Sequence, residues 1–312
     1  MLRRQFLTTA AAAAGLTALA GRASAEPVRT EVSDGFVGRF FAEPGARRRP
    51  AVLMLGGSNG GFPADSYAKD LAAAGFPVLT QAYFKGFMGA NIPAPLPQGL
   101  EEIPLETFFR AIDWLKARPE VNPRRIVLMG ESRGGELVLQ LASLRRDVAG
   151  VVAYVPSHVR WGAVGPNDKA AWTLAGRPLP YLRDRYQPNR PMTQGFLDAL
   201  NGDPAAVAAA AIPVERIRGR VLLVSTTSDG IWPSALMAQK AAERIQRRAR
   251  IGRRLRSLTF DNASHLLMGP GPGMTKFTQG SFTLDFGGTE EGTRYARDTA
   301  WAAVKQMLAE LA

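Results

Sequence analysis

Short apolar runs alternate along this chain with segments of helical periodicity, and this alternation restricts the fold more than any other feature. Such alternation is typical of βαβ units around a parallel sheet. Helices are expected at 65–74, 104–118 and 293–311, and the alternating residues 30–41 predict a leading hairpin. The sequence predicts strands at 51–55, 77–81, 125–129, 150–155, 221–225 and 255–260. The expected fold class is therefore α/β, with a mostly parallel central sheet flanked by helices.

The last predicted helix is amphipathic, and we expect its buried stripe to consist of Tyr295, Trp301, Val304 and Leu308. The alternation of strands and helices breaks down only between 158 and 213, in a long stretch rich in proline and aromatic residues. Loops of this length inside a compact domain are usually functional. We interpret 26–312 as one domain in which 158–213 forms a cap insertion over one end of the sheet.

The first 25 residues have the pattern of a processing segment. Arg3 and Arg4 precede a weakly apolar run, and Ala23-Ser24-Ala25 offers small residues for cleavage. The segment resembles a twin-arginine export signal, although Leu2 and Thr8 depart from the usual pattern and leave the general secretory route open. A disordered alanine-rich tail is the alternative. We expect an interaction with export machinery, a periplasmic or secreted location, and no stable membrane anchor after cleavage.

The charge and the cysteine count exclude several functions. The net charge is +12, but the basic residues are scattered and the densest patch, 247–256, has no interleaved aromatic residues for base stacking. We therefore expect no nucleic-acid partner and interpret the patch as a solvated helix end, or as an anion or lipid-headgroup contact. The chain contains no cysteine, which excludes disulfides, thiolate metal sites and a cysteine nucleophile. No pattern predicts a metal or a cofactor.

The segment GESRGGEL places a serine between two glycines where a predicted strand passes into a predicted helix. A nucleophile on such a sharp turn needs neighbours without side chains, because the backbone is strained and closely approached, and Gly130 and Gly134 meet that need. The following helix directs its first amide groups at developing negative charge. Ser132 is therefore the candidate nucleophile.

A serine nucleophile requires a base, and the chain contains two histidines. His265 follows the last predicted strand and is the favoured base, whereas His158 is expected to line the substrate pocket. Asp229 follows the strand at 221–225 and is the favoured acid, because Asp261 is too close in sequence to His265 to fold back easily. The order Ser132, Asp229, His265 is that of α/β-hydrolases.

The oxyanion of an acyl-transfer intermediate requires two hydrogen-bond donors. The backbone N–H of Arg133 is one candidate, and the N–H of Ser58 or Asn59 in the glycine loop GGSNGG is the other. This loop lacks the spacing of a nucleotide-binding loop. The tentative substrate pocket comprises His158, Trp161 and Trp172.

Several segments together resemble the C-terminal catalytic domain of acyl-CoA thioester hydrolases and bile acid-CoA:amino acid N-acyltransferases, over about residues 45–312. They are LMLGGSNGG, IPLETFFRAIDWLKARPEV, GESRGGEL, VVAYVPS and IPVERIRGRVLLVSTTSDGIWPS. The resemblance implies an α/β-hydrolase fold and a triad that matches Ser132, Asp229 and His265. It also implies hydrolysis, because the amino-acid-transferring members use cysteine as nucleophile. The β-sandwich domain of animal members is expected to be absent.

The expected function is hydrolysis of a small acyl thioester or ester by a serine-dependent enzyme that needs no cofactor. Because coenzyme A is cytosolic, export would point to another leaving group. Two alternatives remain open from the sequence. The same triad could transfer the acyl group to an amine or alcohol, or the chain could be an inactive exported binding protein.

Overall fold

The computed structural model describes residues 26–87, 89, 91–92, 95–165, 168–247, 254–280 and 282–312. The predicted export signal at 1–25 and most of the basic segment at 247–256 lie outside these residues. Among the helices in the described ranges, none combines the length and the apolarity that a membrane crossing requires.

Eight strands form the central sheet in the order β1-β2-β4-β3-β6-β7-β10-β11. Strands β1 and β2 form the predicted hairpin and are antiparallel, β2 is antiparallel to β4, and all other neighbours are parallel. The predicted mostly parallel sheet is therefore confirmed. The strands are β1 Val28–Ser33, β2 Val37–Ala42, β3 Arg49–Leu55, β4 Val78–Ala82, β6 Val121–Glu131, β7 Gly150–Tyr154, β10 Arg220–Thr226 and β11 Leu255–Phe260.

Helices cover both faces of this sheet. They are α1 Asp65–Ala73, α2 Glu106–Lys116, α3 Arg133–Leu144, α6 Ser234–Gln246 and α7 Glu290–Ala309. Side chains alternate between the faces along each strand, so Leu53 and Leu128 pack with α2, α3 and α6, while Met54 and Met129 pack with α1 and α7. Burial of each such side chain contributes about 2 kcal/mol. The continuous apolar runs in the sequence reflect strands that are buried on both faces.

The expected stripe of α7 is correct at three positions and wrong at Tyr295. Trp301, Val304 and Leu308 are buried, whereas Tyr295 is 67% exposed. Tyr295 lies six positions before Trp301, which places it about 120° away around the helix. Ala296 and Ala300 occupy buried positions of this part of the helix instead.

Residues 155–219 separate β7 from β10, and we call them the inserted segment. It contains short strands β8 Trp172–Leu174 and β9 Arg177–Pro178, helices α4 Met192–Leu200 and α5 Pro204–Ala210, and a 3-10 turn, Val214–Arg216. Strand β8 pairs with β5 Ile103–Pro104, ahead of α2. Further along the chain, β12 Lys276–Gln279 and β13 Phe282–Asp285 form a separate hairpin. The inserted segment follows the carboxyl end of β7, and the β12–β13 hairpin follows β11 in the chain.

The register of the sheet brings the candidate site loops together. Leu55 at the end of β3 lies opposite Gly130 in β6, and Thr226 at the end of β10 lies opposite Phe260 at the end of β11. Because parallel strands end at one edge, the glycine loop, the Ser132 turn, and the loops after β10 and β11 share that edge. This is the edge at which open α/β sheets bind ligands.

Candidate active site

Ser132 occupies a sharp turn between β6 and α3. Its backbone has φ 58° and ψ −121°, a left-handed conformation that costs free energy for a residue with a side chain. A Cβ added at Gly130 would overlap the carbonyl of Gly134, and one added at Gly134 would overlap the carbonyl of Gly56. The two glycines therefore permit the close backbone approaches that hold the turn, as expected of a nucleophile elbow.

His265 and Asp229 form a buried pair at the same edge. The imidazole Nδ1 lies 2.8 Å from Oδ1 and 2.9 Å from Oδ2 of Asp229. The backbone N–H groups of Ile231 and Trp232 donate to Oδ1 of Asp229 at 2.9 and 3.2 Å, so the carboxylate is fixed by its own turn. The rival acid Asp261 accepts a hydrogen bond from Thr227 at 2.7 Å instead. The structure thus joins the expected acid to the expected base.

The two histidines have opposite electrostatic surroundings. Burial lowers the pKa of His265. The charge and hydrogen bond of Asp229, together with the charge of Glu131, raise this pKa by more than burial lowers it, so the net shift is upward. Burial and the cations Arg244 and Lys240 lower the pKa of His158 to about 4. His158 also has no carboxylate partner within the described ranges, and its Nδ1 makes no hydrogen bond there. A base needs an orienting acid, so this difference favours His265.

The loop of His265 reaches the residue that precedes Ser132. The N–H of Met268 donates to Oε1 of Glu131 at 2.6 Å. Over the part of the chain that the structure describes, the Ser132 hydroxyl makes no hydrogen bond to the imidazole. Such contacts are often long in ligand-free sites and shorten when substrate binds.

The glycine loop after β3 packs directly on the elbow. A Cβ added at Gly57 would lie 3.1 Å from Cβ of Ser132 and 3.3 Å from the carbonyl of Glu131. The predicted donors Ser58 and Asn59 follow Gly57 in this loop. Arg133 is the first residue of α3, where backbone N–H groups lack helical partners. All three predicted oxyanion donors thus belong to segments that adjoin Ser132.

The tryptophans expected to line the pocket lie in the interior. Trp172 is 1% exposed and packs against Tyr83 and Phe108, and Trp161 is 2% exposed. Their indole N–H groups donate to Glu136 at 2.6 Å and to Ser157 at 2.9 Å. Both indole rings are buried and hydrogen-bonded, so neither ring offers an open surface to a substrate. Each indole carries an N–H donor, and a buried donor of this kind requires a hydrogen-bond acceptor.

Glu136 accepts the hydrogen bond from Trp172 and belongs to a cluster of buried polar side chains that was not predicted from the sequence. Burial raises the pKa of Glu136, while Arg133 and the Trp172 N–H oppose that rise. Nε of Arg133 lies 3.4 Å from Glu136, and Nη2 of Arg133 donates to the carbonyl of Trp161 at 2.8 Å. The side chain of Arg133 therefore joins α3 to the inserted segment. Glutamate in the first turn of a helix is common, so no local signal marks it as buried.

A series of packed aromatic rings, also not predicted from the sequence, extends from the inserted segment to His265. Phe196 of α4 packs edge-to-face with Trp161 and with Trp232, at ring-centroid distances of 4.8 and 5.7 Å. Trp232 in turn lies 5.7 Å from the ring of His265. Phe196 is half-buried, so it is better placed than Trp161 or Trp172 to contact an apolar substrate group.

Two surface cavities in the described part of the chain are lined by residues other than Ser132, Asp229 and His265. One of about 590 Å³ lies between the leading hairpin and the residues after the glycine loop, with Val37, Phe62 and Pro63 among its walls. The other, of about 430 Å³, lies at the opposite end of α3 beside Arg146, Arg216 and Arg218. Within the described ranges, no group of three or more His, Asp or Glu side chains could hold a metal ion.

Comparison with known proteins identifies the family. The family model described as BAAT / acyl-CoA thioester hydrolase C terminal matches residues 103–311. The chain belongs to this family. The resemblance noted from the sequence is thereby confirmed, and a model of the dienelactone hydrolase family also matches residues 37–168.

The curated relatives within this family include both hydrolases and transferases. Acyl-coenzyme A thioesterase 2, mitochondrial, of Rattus norvegicus is 29% identical over 281 residues, covering 88% of this chain and 58% of that protein. Acyl-coenzyme A amino acid N-acyltransferase 2 of Mus musculus is 29% identical over 251 residues, covering 78% of this chain and 55% of that protein. The chain therefore spans little more than half the length of these relatives.

Solved structures confirm the α/β-hydrolase fold. The crystal structure of a dienelactone hydrolase-like promiscuous phosphotriesterase from metagenomic libraries aligns with a TM-score of 0.53 and 19% identity. The alignment covers 91% of this chain and 98% of that one. At this identity the likeness carries the fold alone.

Proposed function

We propose that the protein is a serine hydrolase that cleaves small acyl thioesters or esters through Ser132, His265 and Asp229. The observation that carries the proposal is the buried Asp229–His265 pair at the sheet edge where Ser132 occupies a strained elbow. An imidazole oriented by a carboxylate is the group that a serine hydroxyl needs in order to become nucleophilic. The curated relatives named as acyl-coenzyme A thioesterases support an acyl substrate.

The reaction proceeds in two steps. Oγ of Ser132 attacks the acyl carbonyl carbon while His265 takes the hydroxyl proton, and the backbone N–H groups of Arg133 and of Ser58 or Asn59 stabilise the oxyanion. His265 then returns the proton to the departing thiolate or alkoxide, which leaves an acyl-enzyme. Water attacks that ester with His265 again as base, and the acid is released. The half-buried ring of Phe196, which packs on Trp232 beside His265, supplies an apolar surface near the reacting centre.

Acyl transfer to an amine is the second candidate, and it is favoured by the N-acyltransferases among the relatives. Transfer and hydrolysis differ in which acceptor reaches the acyl-enzyme. Within the family resemblance, a serine nucleophile indicates hydrolysis. An inactive exported binding protein is the third possibility. It would bind acyl ligands saturably without turnover.

A substrate panel tests the proposal. The chain from residue 26 onward is assayed with p-nitrophenyl and coenzyme A esters of graded acyl length, with and without glycine or an alcohol as acceptor. We expect release of free acid, abolished by Ser132→Ala and by His265→Ala in proteins that keep the native circular dichroism spectrum. Amide or new ester as the main product would establish transfer. Saturable binding without turnover across the panel would contradict an enzymatic role.

We also propose that residues 1–25 direct export to the periplasm or the medium, as their sequence pattern indicates. Fractionation of cells that express the full chain tests this. We expect a processed protein that begins near residue 26 outside the cytoplasm, and retention in the cytoplasm when Arg3 and Arg4 are replaced by lysine if the twin-arginine route is used. Full-length protein found only in the cytoplasm would contradict export.

A further inference from the structure

The loop that carries His265 is held from two sides. We call residues 263–271 the base loop. From the sheet side, Oε1 of Glu131 accepts the N–H of Met268 at 2.6 Å. From α7, the guanidinium of Arg297 donates to the carbonyls of Leu266 and Gly271 at 3.0 and 2.9 Å. The base loop is therefore fixed by the carboxyl group of Glu131 and the guanidinium group of Arg297, neither of which belongs to the proposed triad.

Glu131 has a special position among these anchors, because it is the last residue of β6 and directly precedes Ser132. Its hydrogen bond to Met268 joins the strand that carries the nucleophile to the loop that carries the base. Arg297 lies on α7 and joins the base loop to α1 instead, because its Nη2 also donates to the hydroxyl of Tyr67 at 3.0 Å. Displacement of the Glu131 side chain would break this contact between the two segments.

The carboxyl group of Glu131 also lies in the electrostatic environment of the imidazole. Burial raises the pKa of Glu131, and the N–H of Met268 and the charges of His265 and Arg297 oppose that rise. The negative charge of Glu131 in turn raises the pKa of His265, in addition to the effect of Asp229. The other ionisable group that faces Glu131 is the hydroxyl of Tyr154 on β7. An anion here would favour the imidazolium that forms when Ser132 loses its proton.

We propose that Glu131 is a positioning residue for the base. Its carboxylate holds the base loop against the elbow through Met268 and stabilises the protonated imidazole of His265. This inference rests on the proposed function, since it assigns Glu131 a role in the proton transfer between Ser132 and His265. Serine hydrolysis itself requires only the triad and the oxyanion donors, so the role of Glu131 is separately testable.

The chain has only two histidines, which allows a direct test by NMR titration of the imidazole signals. Glu131→Gln removes the charge and keeps an oxygen that can accept the Met268 N–H. We expect the titration of His265 to move to lower pH in this variant, while His158 stays where it is and serves as an internal reference. The matched control is Glu310→Gln, which removes a carboxylate paired with Arg220 on the surface. It should move neither signal.

Kinetics on the best ester complete the test. We expect Glu131→Gln to lower kcat about tenfold at unchanged KM and to move the rising limb of the pH profile in the same direction as the NMR titration. Glu131→Asp keeps the charge but shortens the reach by one methylene, and should lower kcat without moving the titration downward. If Glu131→Gln fails to fold, Glu131→Asp decides alone, and an unchanged kcat would overturn the proposal.

A Glu131→Gln variant with a lower melting temperature but an unchanged His265 titration and kcat would also overturn the proposal, because Glu131 would then be structural only. The NMR arm does not depend on turnover. A shifted His265 titration in a protein that hydrolyses no ester would therefore count against the proposed function while supporting the contact between Glu131 and the base.

Discussion

The elbow at Ser132 and the inserted segment at 155–219 are held in place by different kinds of interaction. The elbow is fixed by backbone packing, in which Gly134 lies against the carbonyls of Leu55 and Gly56 with no room for a side chain. The inserted segment is attached to α3 by buried side-chain hydrogen bonds, such as that from Trp172 to Glu136. Backbone packing leaves a glycine pattern in the sequence, whereas a side-chain network leaves only ordinary polar residues.

The largest expected effect concerns the network. Glu136→Ala should lower the free energy of unfolding by about 4 kcal/mol, because it leaves the buried guanidinium of Arg133 without its ion-pair partner and the Trp172 N–H without its acceptor. Glu136→Gln keeps an acceptor for Trp172 and should cost less. Urea denaturation measures both variants, and hydrogen exchange should show lost protection at 158–182 with less change in β6. Equal loss in both regions would show that the network does not act on the inserted segment in particular.

A substitution in the elbow should reduce stability somewhat less than Glu136→Ala does, but it should abolish activity. Gly134→Ala places a methyl group against the backbone of Gly56 and Leu55, and should destabilise the protein by about 3 kcal/mol and abolish turnover as the glycine loop is displaced. Gly99→Ala is the matched control, because a Cβ there has no neighbour within 4 Å. If Gly134→Ala keeps wild-type activity, the close approach of loop and elbow is not required.

A smaller loss of stability is expected when a single buried hydrogen-bond acceptor is removed from the inserted segment. Ser157→Ala removes the acceptor of the Trp161 indole N–H and of the Val159 N–H, and should cost about 1.5 kcal/mol. The control is Ser143→Ala, because the Ser143 hydroxyl only donates, to the carbonyl of Gln140. It should change the unfolding midpoint less. Similar midpoints for the two variants would mean that buried donors in the inserted segment find other partners.

Local patterns predicted the features that local physics determines. The strands are continuous apolar runs because both faces are buried, and the elbow is visible because a strained turn at Ser132 demands flanking glycines. The contact between Asp229 and His265 follows from their places after strands, since parallel strands bring their following loops to one edge. In these cases a residue's neighbours in sequence set its role.

The remaining features depend on contacts between residues that are distant in sequence. Tyr295 was placed on the apolar stripe of α7, but its ring lies outside the buried face, where Ala296 and Ala300 pack instead. Trp161 and Trp172 looked like pocket walls, and only their partners Ser157 and Glu136 explain why they lie in the interior. Phe196 was overlooked because its relation to His265 passes through Trp232. No spacing rule within one segment encodes such contacts.

Covalent labelling of the folded protein tests most directly whether Ser132 is an activated nucleophile. A fluorophosphonate probe is added at neutral pH, and the modified peptide is located by mass spectrometry. We expect one adduct on Ser132, none on Ser132→Ala, and labelling slowed at least about a hundredfold in His265→Ala, because the base then no longer accepts the hydroxyl proton. Absence of an adduct on Ser132 in natively folded protein, or labelling at another residue, would contradict the proposed catalytic serine.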